Sequence, residues 1–222
     1  TSLGFASIVQ TRIIWSRDNR IENQIKVNAS KRSVSNGTLI MQLVILGGPG
    51  SGKGTQSKKL SEHFGIPWIS TGDVLRAEIA ADSSLGQQIS ETLANGELVS
   101  DTLMIDFIKE RLQQPDAANG WILDGYPRTA FQAEELDFFL ETLKRQVNHV
   151  IWLELPTHCL IERSENRGAI DDNPEALRRR IEALSANTVP MLEYYDYRQR
   201  LVRIDGNQPA DDVKRDILSN IG

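Results

Sequence analysis

A single cysteine, Cys159, stands in the 222-residue chain, so no disulfide can close within it and a reducing setting is expected. Histidine is nearly as scarce. His63, His149 and His158 are scattered, with no ligand-like spacing to one another or to Cys159, which argues against a structural zinc site. No apolar run approaches the roughly 20 residues that cross a bilayer. An excess of positive charge is missing too. With 25 Lys and Arg against 30 Asp and Glu, the net charge is −5, which excludes the basic footprint of a general nucleic-acid binder. Any cationic surface must therefore be local, made by a few arginines gathered in the fold. Internal repeats and low-complexity tracts are also absent. What is present, 40% hydrophobic and 25% charged residues, suits one soluble globular domain with a full core.

Residues 1–38 differ from the rest. They carry Arg12, Arg17, Arg20, Lys26, Lys31 and Arg32 against Asp18 and Glu22, and are rich in Ser and Asn, as in an organellar transit peptide. A plainer reading is a disordered or loosely packed arm outside the core, with the working protein beginning at Met41. The expected location is the cytoplasm, or an organelle stroma or matrix if the arm targets the chain. From residue 39 the pattern becomes regular. Short apolar runs at Leu43–Leu46, Trp68–Ile69, Trp121–Leu123, Val150–Leu155 and Leu201–Ile204 predict buried strands. Segments with helical periodicity lie between and after them: Lys53–His63, Val74–Ala80, Asp101–Leu112, Thr129–Leu143 and Pro174–Tyr197. This alternation predicts an α/β fold, a three-layer sandwich with a five-stranded parallel sheet covered on both faces. Gly and Pro punctuate the strand ends at Gly47–Gly50, Gly125–Pro127 and Gly206–Pro209, where such sheets bind ligands.

The sharpest motif follows the first strand: Gly47-Gly48-Pro49-Gly50-Ser51-Gly52-Lys53-Gly54-Thr55, with P-loop spacing. Glycines let successive N–H groups turn inward on phosphate oxygens, and the helix opening at Lys53 adds its positive end. Lys53 would reach the β- and γ-phosphates of a nucleotide donor. Many P-loops place Ser or Thr directly after the lysine to ligate magnesium; here Gly54 stands there and Thr55 follows. The ending Gly-Lys-Gly-Thr-Gln resembles that of the nucleoside monophosphate kinases.

Three further segments carry information, the first and third at predicted strand ends: Ile69-Ser70-Thr71-Gly72-Asp73-Val74-Leu75-Arg76, Gly96-Glu97-Leu98-Val99-Ser100-Asp101, and Leu123-Asp124-Gly125-Tyr126-Pro127-Arg128-Thr129 with Gln132 one turn on. Taken singly, each has a plain structural account. Ser70 or Thr71 can cap a helix, Asp73 can answer its dipole, and Arg76 can be a solvated ion pair. Asp124–Pro127 can be simply a turn, with Pro127 cis. The second segment reads as a turn before a well-capped helix. In order and spacing, however, these segments resemble the short, compact-lid adenylate kinases over about residues 41–220.

That resemblance implies roles. Arg76 and Arg128 would hold the AMP phosphate, as planar guanidinium groups pair well with phosphate. Thr71 and Gln132 would meet adenine, and backbone around Glu97, Leu98 and Val99, with Gly125, would border the acceptor. Gly48 to Thr55 would cradle ATP. Asp124 would orient water on Mg²⁺, near Thr55, with no direct protein ligand to the metal. Downstream, Arg163-Ser164-Glu165-Asn166-Arg167-Gly168-Ala169-Ile170-Asp171-Asp172 and the triplet Arg178–Arg180 match a short lid and the helix after it. Arg163 would lie against the ATP adenine, and Arg167 and Arg180 would reach phosphates. Arg178 and Arg179 read as a solvated helix face.

One departure stands out. The family usually has arginine directly after the lid glycine, where this chain has Ala169. The expectation is an active but slower enzyme in which Arg167 or another lid arginine covers part of the lost charge. The implied reaction is MgATP plus AMP giving two ADP, with ATP and AMP as partners, no nucleic acid or membrane, and a monomeric chain. Acceptor helices of about residues 70–100 and a lid of about 163–173 would move against a fixed sheet. Rival readings are a UMP/CMP kinase, a weakened adenine-nucleotide sensor made conceivable by Ala169, and a P-loop NTPase serving a macromolecule. Relatives that prefer pyrimidines tend to carry Ala in place of Thr71 and Asn in place of Thr129, so this chain's Thr71 and Gln132 favour AMP.

Overall fold

Apolar residues in the first long strand are continuous because both of its faces are covered. The computed structural model describes residues 34–35, 38–165 and 174–222. The chain divides into two compact units, Thr1–Ile40 and Met41–Gly222. In the first, a short ribbon pairs Val34–Ser35 (β1) antiparallel with Thr38–Leu39 (β2). The remainder of the arm lies outside the described residues.

In the second unit, β3 (Met41–Leu46), β4 (Trp68–Ser70), β5 (Gly120–Asp124), β6 (His149–Glu154) and β7 (Leu201–Asp205) form one five-stranded sheet, every pairing parallel, in the order β4-β5-β3-β6-β7. Successive side chains point to opposite faces. Leu43 and Ile45 of β3, with Ile122, Ile151 and Leu153, therefore meet Leu60 of α1 (Lys53–Phe64) and Val213, Ile217 and Ile221 of α8 (Ala210–Ile221). Val44 and Leu46, with Trp121, Leu123 and Val150, meet a second layer on the other face. It is built from α4 (Asp101–Leu112), α5 (Ala130–Thr142) and α7 (Pro174–Tyr197). Leu43 and Ile45 are fully buried, each worth about 1.5–3 kcal/mol over an exposed side chain. The result is the three-layer α/β sandwich that the sequence predicts.

The five predicted strands and five predicted helices are all present, with no end moved by more than three residues. The predicted helix at Val74–Ala80 is α2 (Thr71–Ala80), and three helices go unpredicted: α3 (Ser84–Ala94), α6 (Thr157–Glu165) and α8. A 3-10 turn at Pro115–Asn119 leads into β5. The helix at Asp101 differs from expectation in its cap. Ser100 makes no side-chain capping bond, and the Asp101 carboxylate is drawn away to Gln132. Strand order reverses around β3, whose sequence neighbour β4 lies two places away. The carboxyl ends of β3, β4 and β5 thus open one crevice, the usual ligand position in such sheets.

Candidate active site

Leu46 ends β3, and the chain passes through the glycine-rich loop directly into α1. At Gly50 the backbone has φ +73°, and a Cβ would come 2.7 Å from the Leu160 carbonyl oxygen and 2.8 Å from Ser164 Oγ. Only glycine fits that approach. Gly52 is the N-cap of α1 and offers no side chain over the first N–H groups, so the positive end of the helix is left facing the cleft. Lys53 Nζ donates to the carbonyl oxygens of Gly47 and Gly48, 2.8 Å each, which ties the ammonium to its own loop. The Ser51 hydroxyl is buried there without a partner. A Cβ at Gly54 would stand 3.4 Å from the Trp68 ring and 3.8 Å from Asp124 Oδ2, so the position after the lysine faces those two side chains.

Asp124 ends β5 and is 7% exposed. Burial pushes its carboxyl above the usual range, against the pull of the Lys53 ammonium, the Trp68 indole and Arg128. Thr71 Oγ1 donates to the Asp124 carbonyl at 3.1 Å, and its residue is 1% exposed. Ser70 caps α2 by accepting from Asp73 N–H at 3.3 Å. Arg76 donates to Asp73 Oδ1 at 2.7 Å, one turn back on the same helix, and its guanidinium lies over Gly72. Both plain readings of Asp73 and Arg76 therefore hold, and Arg76 also lines the cleft.

After Asp124 the chain turns through a cis Tyr126–Pro127 bond into Arg128. Arg128 Nε donates to the Gly125 carbonyl at 2.9 Å, while its backbone N–H donates to Gln132 Oε1 at 2.8 Å. Gln132 Nε2 in turn donates to Asp101 Oδ1 at 2.8 Å. Thr129 caps α5 by accepting from Gln132 N–H at 3.1 Å. On the opposite wall, Arg163 of α6 donates to the Gly206 carbonyl and to Asn207 Oδ1, 3.1 Å each, so the β7–α8 loop holds its plane.

These groups line one cleft of about 460 Å³. Pro49 to Thr55, Thr71, Arg76, Glu97, Leu98, Val99, Asp124, Gly125, Arg128, Gln132, Arg163 and Arg180 all contribute to its walls. Gly48 is not brought to the wall: the direction of its missing Cβ is filled by Leu160 and Leu184. Arg167 and Ala169 lie outside the described residues, as does the predicted lid from 166 to 173. Hard oxygen donors at Asp124 and Thr55 suit a magnesium ion that keeps most of its waters. Among the described residues, no three His, Cys, Asp or Glu side chains form a metal cage.

The adenylate kinase family model matches residues 45–200, which include the glycine loop, Arg76, Arg128 and Arg180. The chain belongs to the adenylate kinase family. It is 48% identical to adenylate kinase 2 of Nostoc sp. over 178 residues, covering 80% of this chain and 97% of that protein. It is 46% identical to adenylate kinase 2 of Synechocystis sp. over 181 residues, 82% of this chain and all of the other. To the adenylate kinase of Xanthomonas campestris pv. campestris it is 45% identical over 186 residues, again 82% and 100%. As a family member it is a nucleoside monophosphate kinase, an enzyme of the phosphotransferase class. Sequence reasoning overlooked the partners that hold this adenylate kinase site in shape. Asp101, Trp68, Gly206 and Asn207 carry no local motif, and their roles arise from residues that are distant in sequence. Arg179 keeps the partly solvated, acid-facing position expected of it, beside Glu175 and Glu97, and also donates to the Asn95 carbonyl.

Proposed function

We propose that the protein transfers the terminal phosphoryl group of ATP to AMP, giving two ADP. The observation that carries this reading is the single cleft in which Lys53 and its loop face the same space as Arg76 and Arg128. An oxygen of the AMP phosphate attacks the γ-phosphorus in line; the bond from that phosphorus to the β–γ bridging oxygen breaks, and ADP leaves with the electron pair. No general base is needed, because the nucleophile is already an anion. The obstacle is repulsion between two highly charged partners, which Lys53, Arg76, Arg128, Arg180 and the lid residue Arg167 would offset. Asp124 and Thr55 are the groups that would hold the water shell of a magnesium ion, which would supply charge neutralisation at the donor phosphates.

Acceptor identity rests on Thr71 and Gln132. The Thr71 hydroxyl spends its hydrogen on the Asp124 carbonyl, so its oxygen is left to accept from an exocyclic amine. Gln132 keeps one amide hydrogen beyond the bond to Asp101, and can donate it to a ring nitrogen. An adenine edge offers that donor and acceptor pair. On the donor side, Pro49 to Thr55 would cradle the phosphates and Arg163, held flat by the Gly206 loop, would cover the base. In this reading residues 39–222 are the catalytic domain, 70–100 the acceptor segment, 163–173 the lid and 1–38 an extension. One chain supplies both halves of the cleft, which suits a monomer. The lone Cys159 suits a reducing compartment, the cytoplasm first, or a stroma or matrix should the extension be a targeting segment.

The test is phosphoryl transfer from MgATP to AMP, GMP, CMP and UMP, with an acceptor-free control. ADP formation with AMP far above the other acceptors is expected. Turnover confined to pyrimidine acceptors would overturn the acceptor assignment. Retained ATP binding without transfer to any acceptor would replace the enzyme with a nucleotide sensor.

A further inference from the structure

The acceptor turn is gripped by a helix that also serves the donor side. Helix α3 ends with Gly96 at φ +72°, Gly96 N–H bonding to the Leu93 carbonyl and Glu97 N–H to the Thr92 carbonyl, 3.0 Å each. There the turn meets the first turn of α7 backbone to backbone. A Cβ on Gly96 would lie 2.5 Å from the Ala176 carbonyl oxygen and 2.9 Å from Ala176 Cα, and Ala176 and Leu177 are each 2% exposed.

Arg179, one turn further along α7, closes the contact. One guanidinium nitrogen donates to the Asn95 carbonyl at 3.4 Å, the C-cap of α3, and stands 3.9 Å from Glu97 Oε1. The other donates to Glu175 Oε1 at 2.7 Å, which steadies the group. A cation there answers the negative end of α3. Successive helix residues are turned by about 100°, so the three arginines part company. Arg178 points outward, 72% exposed, 3.7 Å from Glu182, and Arg180 lines the cleft.

We infer that Arg179 is a positioning residue for the acceptor: it fastens the turn at Asn95–Glu97 to α7, so that Leu98 and Val99 present a fixed wall to the acceptor nucleotide. The inference rests on the acceptor reading above. Arg179 does not line the cleft itself and touches neither substrate in this account.

Initial rates of wild type, Arg179→Ala, Arg179→Lys and Arg178→Ala, with AMP and MgATP each varied, test it. In Arg179→Ala the KM for AMP should rise roughly five- to tenfold, with kcat and the KM for MgATP within about twofold of wild type, the scale of one charge-assisted hydrogen bond. Arg179→Lys should recover part of the loss, and Arg178→Ala should match wild type. Amide hydrogen exchange at Gly96 and Glu97, followed without nucleotide, should quicken in Arg179→Ala and not in Arg178→Ala. An unchanged KM for AMP, or an equal rise in both KM values, overturns the positioning role. Should wild type turn over no AMP, the acceptor reading fails by itself. Exchange at Gly96 and Glu97 then decides the fastening: faster exchange in Arg179→Ala sustains it, and unchanged exchange overturns it.

Discussion

Gln132 Nε2 and Asp101 Oδ1, on helices that begin 29 positions apart in sequence, are joined by a 2.8 Å hydrogen bond. Together with the Arg128 N–H bonded to Gln132 Oε1, this contact settles which way the Gln132 amide faces. Asp101→Ala should leave the amide free to rotate and raise the KM for AMP roughly tenfold, the worth of about 1.5 kcal/mol in one charge-assisted hydrogen bond. Asp101→Asn, which keeps an acceptor oxygen, should cost less. Steady-state kinetics at saturating MgATP check this; an Asp101→Ala enzyme with wild-type KM for AMP would show that Gln132 needs no such support.

Lys53 is tied to the Gly47 and Gly48 carbonyls, so its stem and charge are held within the loop before any chemistry begins. Lys53→Met should lower kcat on the order of 10²–10³-fold, the cost of one preorganised charge at a developing phosphoryl centre. Its melting temperature should stay close to wild type, because the side chain is only partly buried. A kcat within a few-fold of wild type would remove Lys53 from the transition state.

Away from the cleft, Asp137 accepts from Tyr194 OH at 3.0 Å and from Arg200 at 3.1 Å, while Arg198 lies 3.5 Å off and stacks on the Tyr194 ring. Burial pushes this carboxyl above its ordinary value, against Arg200, Tyr194 and Arg198. A raised folded pKa means the native state binds the proton more tightly than the unfolded chain. The stability linked to it is complete below the unfolded pKa and is lost as pH rises through the folded one. Asp137→Asn cannot ionise, so its stability relative to wild type should improve as pH goes from about 4 to about 7. Urea unfolding at several pH values measures the difference, and a trend of the opposite sign would mean that the two arginines outweigh burial.

By the family resemblance, Ala169 takes the place of an expected lid cation. Ala169→Arg should raise kcat, by up to about 10²-fold if no other arginine has taken over the charge and by less in proportion to what Arg167 supplies. Comparing Ala169→Arg in wild-type and Arg167→Ala backgrounds separates the two cases. Unchanged or lower turnover in both would show that the missing cation does not limit this enzyme.

The layered sheet was legible in the sequence because each buried strand is a short apolar run closed by glycine or proline, as at Leu43–Leu46 before Gly47. The glycine loop was legible for a similar reason, being contiguous in sequence, whereas the roles given to Arg76 and Arg128 come from the family resemblance. Helix α8 carries Val213, Ile217 and Ile221 at four-residue spacing, one apolar face of a helix. Helix α3 carries Leu85, Ile89 and Leu93 at the same spacing, but Gly86 in its first turn weakens the intrinsic helix preference of the segment. The supports of the site were not legible at all. Asp101 looks like any first-turn carboxylate until Gln132 arrives, and Arg179 looks like its neighbour Arg178 until α3 ends beside it.

Gly86 has a different meaning from the loop glycines. A Cβ there would come 2.1 Å from the Glu78 carbonyl oxygen and 2.8 Å from Ile79 Cα, and the Ser83 hydroxyl, which accepts from Gly86 N–H, also donates to Glu78 Oε2 at 2.6 Å. Helices α2 and α3 therefore meet backbone to backbone at Gly86, with no room there for a side chain, and together form one plate. Arg76 is fixed near one end of that plate, and the turn at Gly96 at the other. A methyl group at position 86 would act as a wedge, altering the angle of the plate and so the gap between the two edges that face the acceptor, while leaving every residue of the cleft chemically intact.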